Sequence, residues 1–306
     1  MKKQELLGSG MLLLTALIWG TAFVAQSVAM DYMQPFTFGA LRYALGALTL
    51  TPVMAVTAGI RRHNGVQPTG SRRDLWLGGC LCGVLLFLAS ASQQIGIQYT
   101  SVGRSGFITA LYVVLVPIGA LVVFRRPLSP LVAVSVAAAV AGLYLLCWQD
   151  GPALNRGDVY TAVCAVFFTA QILAMSQFAP RVDGVKLSFI QFAVCAALNA
   201  VAAVIREPAV PWSAVTQGWL PLLYAGVMSS GVAYTMQTLG QKRTPPAVAS
   251  VLMSMESVFA AIAGAVILGQ WLSVRETVGC VLMFAAVILA QVPLKRRGKN
   301  AASSER

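Results

Sequence analysis

The chain has 306 residues, of which 58% are hydrophobic and only 10% are charged, with a formal net charge of +12. A soluble domain usually carries about 25% charged residues, so this chain has too few polar groups to cover a water-facing surface. Lipid must therefore be the solvent for much of it. The positive charge does not indicate nucleic-acid binding, because the basic residues lie in short clusters between apolar stretches rather than along one face.

Apolar runs long enough to cross a membrane recur along the chain, since about 20 such residues span the hydrocarbon core as a helix. We predict an all-α integral membrane protein with ten transmembrane helices, at residues 6–30, 36–60, 75–98, 105–124, 128–148, 159–179, 187–205, 218–239, 247–268 and 272–292. Each helix would pair its backbone N–H and C=O groups internally, as lipid requires. A signal peptide is the alternative for the first run, because Lys2 and Lys3 precede it and Ser27-Val28-Ala29 resembles a cleavage site. A retained span is favoured, because the run exceeds the usual apolar region of about 7–15 residues.

The basic residues predict the orientation of these spans. With the N-terminus in the cytoplasm, seventeen basic residues fall on the cytoplasmic side and four on the other. The cytoplasmic set is Lys2, Lys3, Arg61, Arg62, Arg72, Arg73, Arg125, Arg126, Arg181, Lys186, Lys242, Arg243, Lys295, Arg296, Arg297, Lys299 and Arg306. The opposite set is Arg104, Arg156, Arg206 and Arg275. This bias favours a multi-pass protein of the cell (inner or plasma) membrane with both termini in the cytoplasm.

The second half of the sequence repeats the first. A shift of 144 residues places residues 85–146 on residues 229–290 without a gap, with 12 of 62 pairs identical, including Gln93/Gln237 and Gly96/Gly240. We assign five-helix repeats to residues 1–150 and 151–294, followed by a basic cytoplasmic tail at 295–306. Because each half has an odd number of helices, the two repeats would enter the membrane with opposite orientation. Inverted repeats of this kind are typical of transporters.

Two ionisable residues lie clearly within the predicted spans, where a charge is costly. Glu256 is near the middle of the ninth span and is either paired or protonated. It is a partner for a substrate cation or a proton carrier on one interpretation, and a structural hydrogen-bonding residue on the other. Arg42, near the outer end of the second span, is interpreted as a structural intramembrane charge that snorkels or pairs with a carboxylate or a helix C-terminus, in preference to a substrate-binding residue.

Neutral polar and aromatic side chains within the spans are further candidates for a central cavity. Gln93 and Gln237 occupy matching positions of the repeat, so pseudo-symmetry would place them across from each other. Interhelical hydrogen bonding explains one such glutamine, but explains several in corresponding helices less well. The candidate substrate-binding or cavity-lining residues are Trp19, Gln93, Tyr112, Gln171, Tyr234, Gln237 and Glu256.

The sequence predicts neither a metal site nor a cofactor. The cysteines lie within the apolar runs and are interpreted as small hydrophobic residues, and the only histidine, His63, is in a basic loop. With one deep intramembrane acid and no intramembrane histidine, an enzyme is not expected. No nucleotide-binding motif is present, so ATP would not drive transport directly. The expected partners are a small-molecule substrate and membrane lipid, in a monomer or homodimer.

Several short motifs follow one another in both halves. They are Leu17-Ile18-Trp19-Gly20, Pro35-Phe36 before Arg42, Tyr99-Thr100-Ser101, Val116-Pro117, Ala233-Tyr234, Glu256-Ser257-Val258-Phe259-Ala260-Ala261 and Leu268-Gly269. Together they resemble the drug/metabolite transporter superfamily, in its EamA-type family. Two positions depart from that pattern, since Ser257 stands where proline is common and Gln270 where a glutamate often ends the ninth helix.

The resemblance implies ten helices, an inverted repeat and a central cavity lined mainly by spans 1, 3, 4, 6, 8 and 9. It also implies export or exchange of small metabolites such as amino acids, by alternating access. The loss of the glutamate at Gln270 puts a coupling role there in doubt. A channel or a non-transporting scaffold is the alternative, although no ring of charge or carbonyl filter is visible in the sequence.

The seventeen-to-four distribution of basic residues predicts that a reporter fused after Arg306 reads as cytoplasmic. A pair of reporters, one active only in the cytoplasm and one only outside it, checks this. Activity of the second reporter alone would rule out ten spans with a cytoplasmic N-terminus.

Overall fold

A computed structural model describes residues 3–63, 70–100, 102–125, 129–147, 155–208, 211–268 and 271–292. The described residues are almost entirely helical and contain no β-strand. The helices are α1 (Lys3–Ala29), α2 (Pro35–His63), α3 (Arg72–Ile97), α4 (Val102–Ala110), α5 (Tyr112–Phe124), α6 (Pro130–Cys147), α7 (Arg156–Phe178), α8 (Gly184–Arg206), α9 (Trp212–Gln217), α10 (Trp219–Leu223), a π-helical segment (Tyr224–Tyr234), α11 (Thr235–Gln241), α12 (Pro246–Met253), α13 (Glu256–Leu268) and α14 (Val274–Ala290). The predicted basic tail and Gln270 lie outside the described residues.

Eight helical stretches in the described residues are long and apolar enough to cross a membrane, so the chain is a multi-pass membrane protein. They match the predicted spans 1–4, 6, 7, 9 and 10. In the region of the fifth predicted span, the apolar helical stretch Pro130–Leu145 is shorter than the other eight. In the region of the eighth predicted span, three helical segments follow one another: α10, the π-helical segment and α11. The count of ten therefore stays a prediction.

Local hydrogen bonds explain where several helices begin. Asn155 and Asp158 form a capping box at the start of α7, and Ser273 and Glu276 form another at the start of α14. The start of α2 is held by the other half of the chain, because the two carboxylate oxygens of Glu207 accept from the backbone N–H groups of Phe36 (2.6 Å) and Thr37 (2.8 Å). A carboxylate is favourable there because a helix N-terminus carries partial positive charge.

The contacts between helices of the two halves come in equivalent pairs, so the same contacts are found when the two halves are interchanged. α2 packs on α8 and α6 on α14, each joining equivalent helices of the two halves. The contact of α3 with α7 is mirrored by that of α11 with α1, and the contact of α3 with α8 by that of the π-helical segment with α2. The contact of α1 with α13 likewise has a counterpart in that of α7 with α4 and α5. The duplication is thus a feature of the packing as well as of the sequence.

The fourth and ninth predicted spans are each interrupted at the same point of the repeat. The break between α4 and α5 falls at Leu111, whose N–H donates to the carbonyl of Ile108. The break between α12 and α13 ends at Met255, whose N–H donates to the carbonyl of Leu252. The 144-residue shift relates this donor and acceptor to Leu111 and Ile108. Each break places the next residue, Tyr112 or Glu256, at the start of a new helix. The prediction of two continuous spans missed these breaks.

The outward-facing side chains are those expected of a surface in lipid. Many large apolar side chains face outward, including Val204 (86% exposed) and Val266 (79% exposed), and an apolar surface of this extent fits lipid as the solvent. Three exposed tryptophans, Trp212, Trp219 and Trp271, lie at or just before the beginnings of α9, α10 and α14. Tryptophan is enriched where a membrane meets water, so these positions fit the ends of spans.

Gly20 allows α1 to approach α13 closely. A methyl group on Gly20 would lie 2.6 Å from the carbonyl oxygen of Glu256, 2.7 Å from Cβ of Phe259 and 2.8 Å from the backbone nitrogen of Ala260. Nothing lies within 4 Å of the equivalent position on Gly10 in the same helix. Gly20 is therefore a contact point, and Gly10 is not.

We expect Gly20→Ala to lower the free energy of unfolding in detergent by about 1–3 kcal/mol, because the added methyl forces the two helices apart. Gly10→Ala is the matched control. It should leave the free energy of unfolding unchanged or raise it slightly, because alanine has a higher helix propensity than glycine. Denaturant titration of both purified variants measures the difference. Equal stability of the two variants would contradict the close approach.

Candidate functional site

One cavity lies between helices of both halves of the bundle. The lining combines aromatic and apolar side chains with a few polar ones, which is the usual composition of a small-molecule site. The lining residues are Trp19, Phe23, Gln26, Arg42, Gln93, Thr109, Tyr112, Phe168, Ile172, Tyr234, Gln237 and Glu256. Six of the seven candidate residues are among them, and the exception is Gln171.

Most of the residues that line the cavity occupy equivalent positions in the two repeats. The 144-residue shift relates Gln93 to Gln237 and Tyr112 to Glu256, all of which line it. In the first two helices of each half the shift is 149 residues, because the crossing of Gly8 with Gly240 corresponds to that of Gly157 with Gly96. That shift relates Trp19 to Phe168 and Phe23 to Ile172, which also line the cavity. Eight of the twelve lining residues therefore form four pseudo-symmetric pairs.

Glu256 meets its repeat counterpart across the cavity. The hydroxyl of Tyr112 donates to Oε1 of Glu256 at 3.1 Å, and both side chains are buried. Tyr112 and Glu256 are the first residues of the helices that follow the breaks at Leu111 and Met255. The described hydrogen bond to the Glu256 carboxylate thus comes from a neutral donor.

The glutamines form two separate arrangements. Nε2 of Gln93 donates to Oγ1 of Thr109 at 3.3 Å. Nε2 of Gln237 donates to Oε1 of Gln171, and Nε2 of Gln171 donates to Oε1 of Gln191, both at 3.3 Å. Gln171 therefore lies behind the cavity wall and links α11 to α8, instead of facing the cavity.

Aromatic rings form one wall of the site. Trp19 and Tyr234 have ring centroids 4.6 Å apart, and Tyr234 meets Phe192 edge-on at 6.0 Å. The indole N–H of Trp19 donates to the carbonyl of Ser229 at 3.2 Å. This bond anchors the ring against the π-helical segment.

Arg42, which the sequence predicts as a structural intramembrane charge, lies beside the cavity. Its side chain is 4% exposed and lines the cavity. Nη1 donates to Gln26 at 2.8 Å, Nη2 to the hydroxyl of Ser229 at 2.9 Å, and Nε to that of Ser230 at 3.0 Å. Its guanidinium also lies 5.2 Å from the ring centroid of Tyr43. The depth of Arg42 along α2 suggested an outer position, but packing against the π-helical segment turns its side chain inward.

Several lining residues were not expected from the sequence. Phe23, Gln26, Thr109, Phe168 and Ile172 line the cavity, and Ser229 and Ser230 hold Arg42. A shift of 149 residues relates Trp19 to Phe168 and would have predicted Phe168 as a lining residue. The sequence comparison missed this shift because the loop after the second helix differs in length between the two halves. In the described part of the chain no three His, Cys, Asp or Glu side chains come together as metal ligands would.

The fold and the central cavity define a helical membrane transporter built from a duplicated unit. The EamA-like transporter family matches residues 6–148 and again 155–291, so the chain belongs to that family. An uncharacterized transporter of Archaeoglobus fulgidus is 30% identical over 281 residues, covering 92% of this chain and 84% of that protein. One solved crystal structure shares the fold, with a TM-score of 0.75 and 22% identity over 93% of this chain and 96% of the other.

The contact of Tyr112 with Glu256 predicts a measurable coupling between the two side chains. We expect the double-mutant cycle of Tyr112→Phe and Glu256→Met to give a coupling free energy of about 0.6 kcal/mol and at most about 1.7 kcal/mol, the average and the maximum for hydrogen bonds inside membrane bundles. Unfolding of the four proteins in detergent measures it. The control is Tyr160→Phe, the same change on an exposed tyrosine of α7. Its coupling free energy with Glu256→Met should be close to zero. A zero coupling for Tyr112 as well would exclude the contact.

Proposed function

We propose that the protein is a secondary transporter, an exporter or exchanger of small metabolites such as amino acids, which works by alternating access around the central cavity. The four pseudo-symmetric pairs of lining residues carry this proposal. Pseudo-symmetric halves around one site can exchange inward-open and outward-open shapes without rebuilding the site. We further propose ten transmembrane helices as two inverted five-helix repeats, in the cell membrane, with both termini in the cytoplasm.

Two close helix crossings support this mechanism. A Cβ on Gly8 would lie 3.1 Å from the carbonyl oxygen of Gly240, and a Cβ on Gly96 would lie 3.0 Å from that of Gly157. In the proposed topology the first crossing is on the cytoplasmic side of the cavity and the second on the opposite side. Opening one crossing while the other stays closed would expose the cavity to one side at a time, as alternating access requires.

Glu256 is the proposed coupling residue. It is the one acid among the cavity-lining residues, and its described hydrogen bond is with a neutral hydroxyl. A proton or a substrate cation that binds there would shift the balance between the two shapes if it binds one of them more tightly. A gradient of proton, ion or substrate would then drive transport.

The experiment for transport starts with a thermal-shift screen of the purified protein against a metabolite library. The best compounds are then tested in liposomes that contain the protein. A transporter should show exchange, in which unlabelled compound inside the liposome accelerates uptake of labelled compound. Uptake without such acceleration would favour the channel, and no uptake of any stabilising compound would favour the scaffold.

Glu256→Gln keeps the shape of the side chain and removes its charge. We expect this variant to fold and express nearly normally, and to lose the dependence of transport on a pH gradient, because no titratable group remains at this position. Liposome uptake measured across several pH values checks this. Suppose that Glu256→Gln transports with the wild-type pH profile while Glu256→Leu fails to fold. Glu256 would then be a structural hydrogen-bonding residue only.

A further inference from the structure

The two close helix crossings differ in the side chains that surround them. In the proposed topology, the crossing of Gly96 with Gly157 is the outer crossing, and the crossing of Gly8 with Gly240 is the inner crossing. At both crossings a methyl group on either glycine would collide with the other helix, so both are closed in this structure. The glycines themselves are related by the repeat. Any difference in how firmly the two crossings are held must therefore come from the neighbouring side chains.

A side-chain hydrogen bond spans the outer crossing. The hydroxyl of Thr100, just after α3, donates to Oδ1 of Asp158 at 2.9 Å and accepts from Nδ2 of Asn155 at 3.4 Å. Asp158 is buried in the first turn of α7, and its other carboxylate oxygen accepts from the backbone N–H of Asn155. A carboxylate is favourable there because a helix N-terminus carries partial positive charge. One carboxylate thus caps α7 and ties it to the end of α3.

The inner crossing has no such bond among the described residues. The repeat relates Thr100 to Thr244, but it relates Asp158 to Ser9, which has no carboxylate. Thr244 lies directly against the crossing, since a Cβ on Gly8 would lie 2.8 Å from its hydroxyl oxygen. That hydroxyl is nevertheless buried without a hydrogen-bond partner. The inner crossing therefore keeps the hydroxyl and lacks the carboxylate that binds it at the outer crossing.

The inner crossing also buries more polar atoms that have no partner. Gln241 follows Gly240 at the end of α11, and both Oε1 and Nε2 of its amide are buried without a hydrogen bond. Its counterpart at the outer crossing is Ile97, whose side chain has no polar atom. An unpaired polar group is costly when it is buried, and water removes that cost. Water that enters an opened inner crossing can bind Gln241 and Thr244, whereas opening the outer crossing breaks an existing bond.

We infer that the hydrogen bond between Thr100 and Asp158 is a latch that keeps the outer crossing closed while the cavity holds no ligand, so that the inner crossing is the one that opens. This inference rests on the proposed alternating access and assigns it a resting state. Two shapes that differ by such a bond are unequally populated. In the proposed topology, the empty cavity then opens to the cytoplasm and takes up its ligand there, as an exporter requires.

The test removes the hydroxyl of the latch and leaves the rest of the crossing unchanged. Thr100→Val has nearly the same shape as the wild-type side chain but cannot donate to Asp158. Thr244→Val is the matched control, because it is the same change at the repeat counterpart, whose hydroxyl has no partner. Thr100→Ser restores the hydroxyl without the methyl group. If the loss of the hydroxyl is what matters, Thr100→Ser should behave as the wild type.

A pair of spin labels follows each crossing in liposomes without ligand. The outer pair is at Gln98 and Arg156 and the inner pair at Lys242 and Leu7, all of which are exposed and related by the repeat. The labels are attached to cysteines at these positions, in a chain whose six native cysteines are replaced by alanine. Dipolar broadening of the electron paramagnetic resonance spectrum gives the fraction of molecules in which each pair is close. Hydrogen–deuterium exchange of the unlabelled protein, with its native cysteines, compares the same two ends and decides the matter if the cysteine-free chain does not fold.

We expect the inner pair of the wild-type protein to be separated in a larger fraction of molecules than the outer pair. Thr100→Val should raise the ratio of open to closed outer crossings about threefold to tenfold, which is the effect of losing one hydrogen bond. Thr100→Ser and Thr244→Val should change that ratio less than about twofold. Amide exchange at the outer end should rise in Thr100→Val and in neither of the other two variants.

Two results would overturn the inference. One is that Thr100→Val opens the outer crossing no more than Thr244→Val does. The other is that the outer crossing of the wild-type protein is open at least as often as the inner one. Either result leaves the proposed transport function standing, because exchange of a compound from the metabolite library in liposomes would still support it. Failure of every compound in that exchange assay would count against the transport function, whatever the spin labels show.

Discussion

The structure depends most on how it holds a guanidinium inside a membrane-spanning bundle. Arg42 is bound by Gln26 from α1 and by two consecutive serines, Ser229 and Ser230, from the π-helical segment. Consecutive side chains diverge strongly around an α-helix, whereas the wider π turn brings them closer to one face. Ser230 shows this spacing itself, because its hydroxyl donates to the carbonyl of Ala225, five residues earlier. The same segment accepts the Trp19 indole, so one backbone irregularity positions both the cation and an aromatic wall.

Duplication accounts for most of the remaining site. Two helices break at equivalent points, and the residues that follow, Tyr112 and Glu256, are equivalent positions that bond to each other. Equivalent positions near the centre thus carry a hydroxyl in one half and a carboxylate in the other. The same holds for Gln93 and Gln237, which stayed identical but acquired different neighbours, Thr109 and Gln171. The scaffold stays symmetric while the chemistry at each pair diverges.

The sequence was sufficient to predict the class of protein, most of the helices and much of the cavity lining. Hydropathy identifies the segments that lie in lipid, and the repeat indicates which residues face the centre. Six candidate residues, Glu256 and Trp19 among them, line the cavity. The breaks at Leu111 and Met255 and the π-helical segment were missed, since the apolar runs of the sequence continue through them. The partners of Arg42 were not predicted either. Its depth along α2 is readable from sequence, but the direction of its side chain depends on Ser229 and Ser230, nearly 190 residues away.

Asymmetry on a symmetric scaffold has an energetic consequence for the proposed mechanism. If the two halves were identical, exchanging their shapes would convert the inward-open state into the outward-open state at no cost, and the two would be equally populated. Every interaction present in one half only makes the two states differ in free energy. The contacts of Arg42 with the π-helical segment are one such difference, because they involve a charge in a medium of low dielectric. Any ligand of the cavity that changed those contacts would therefore shift the equilibrium between the two shapes.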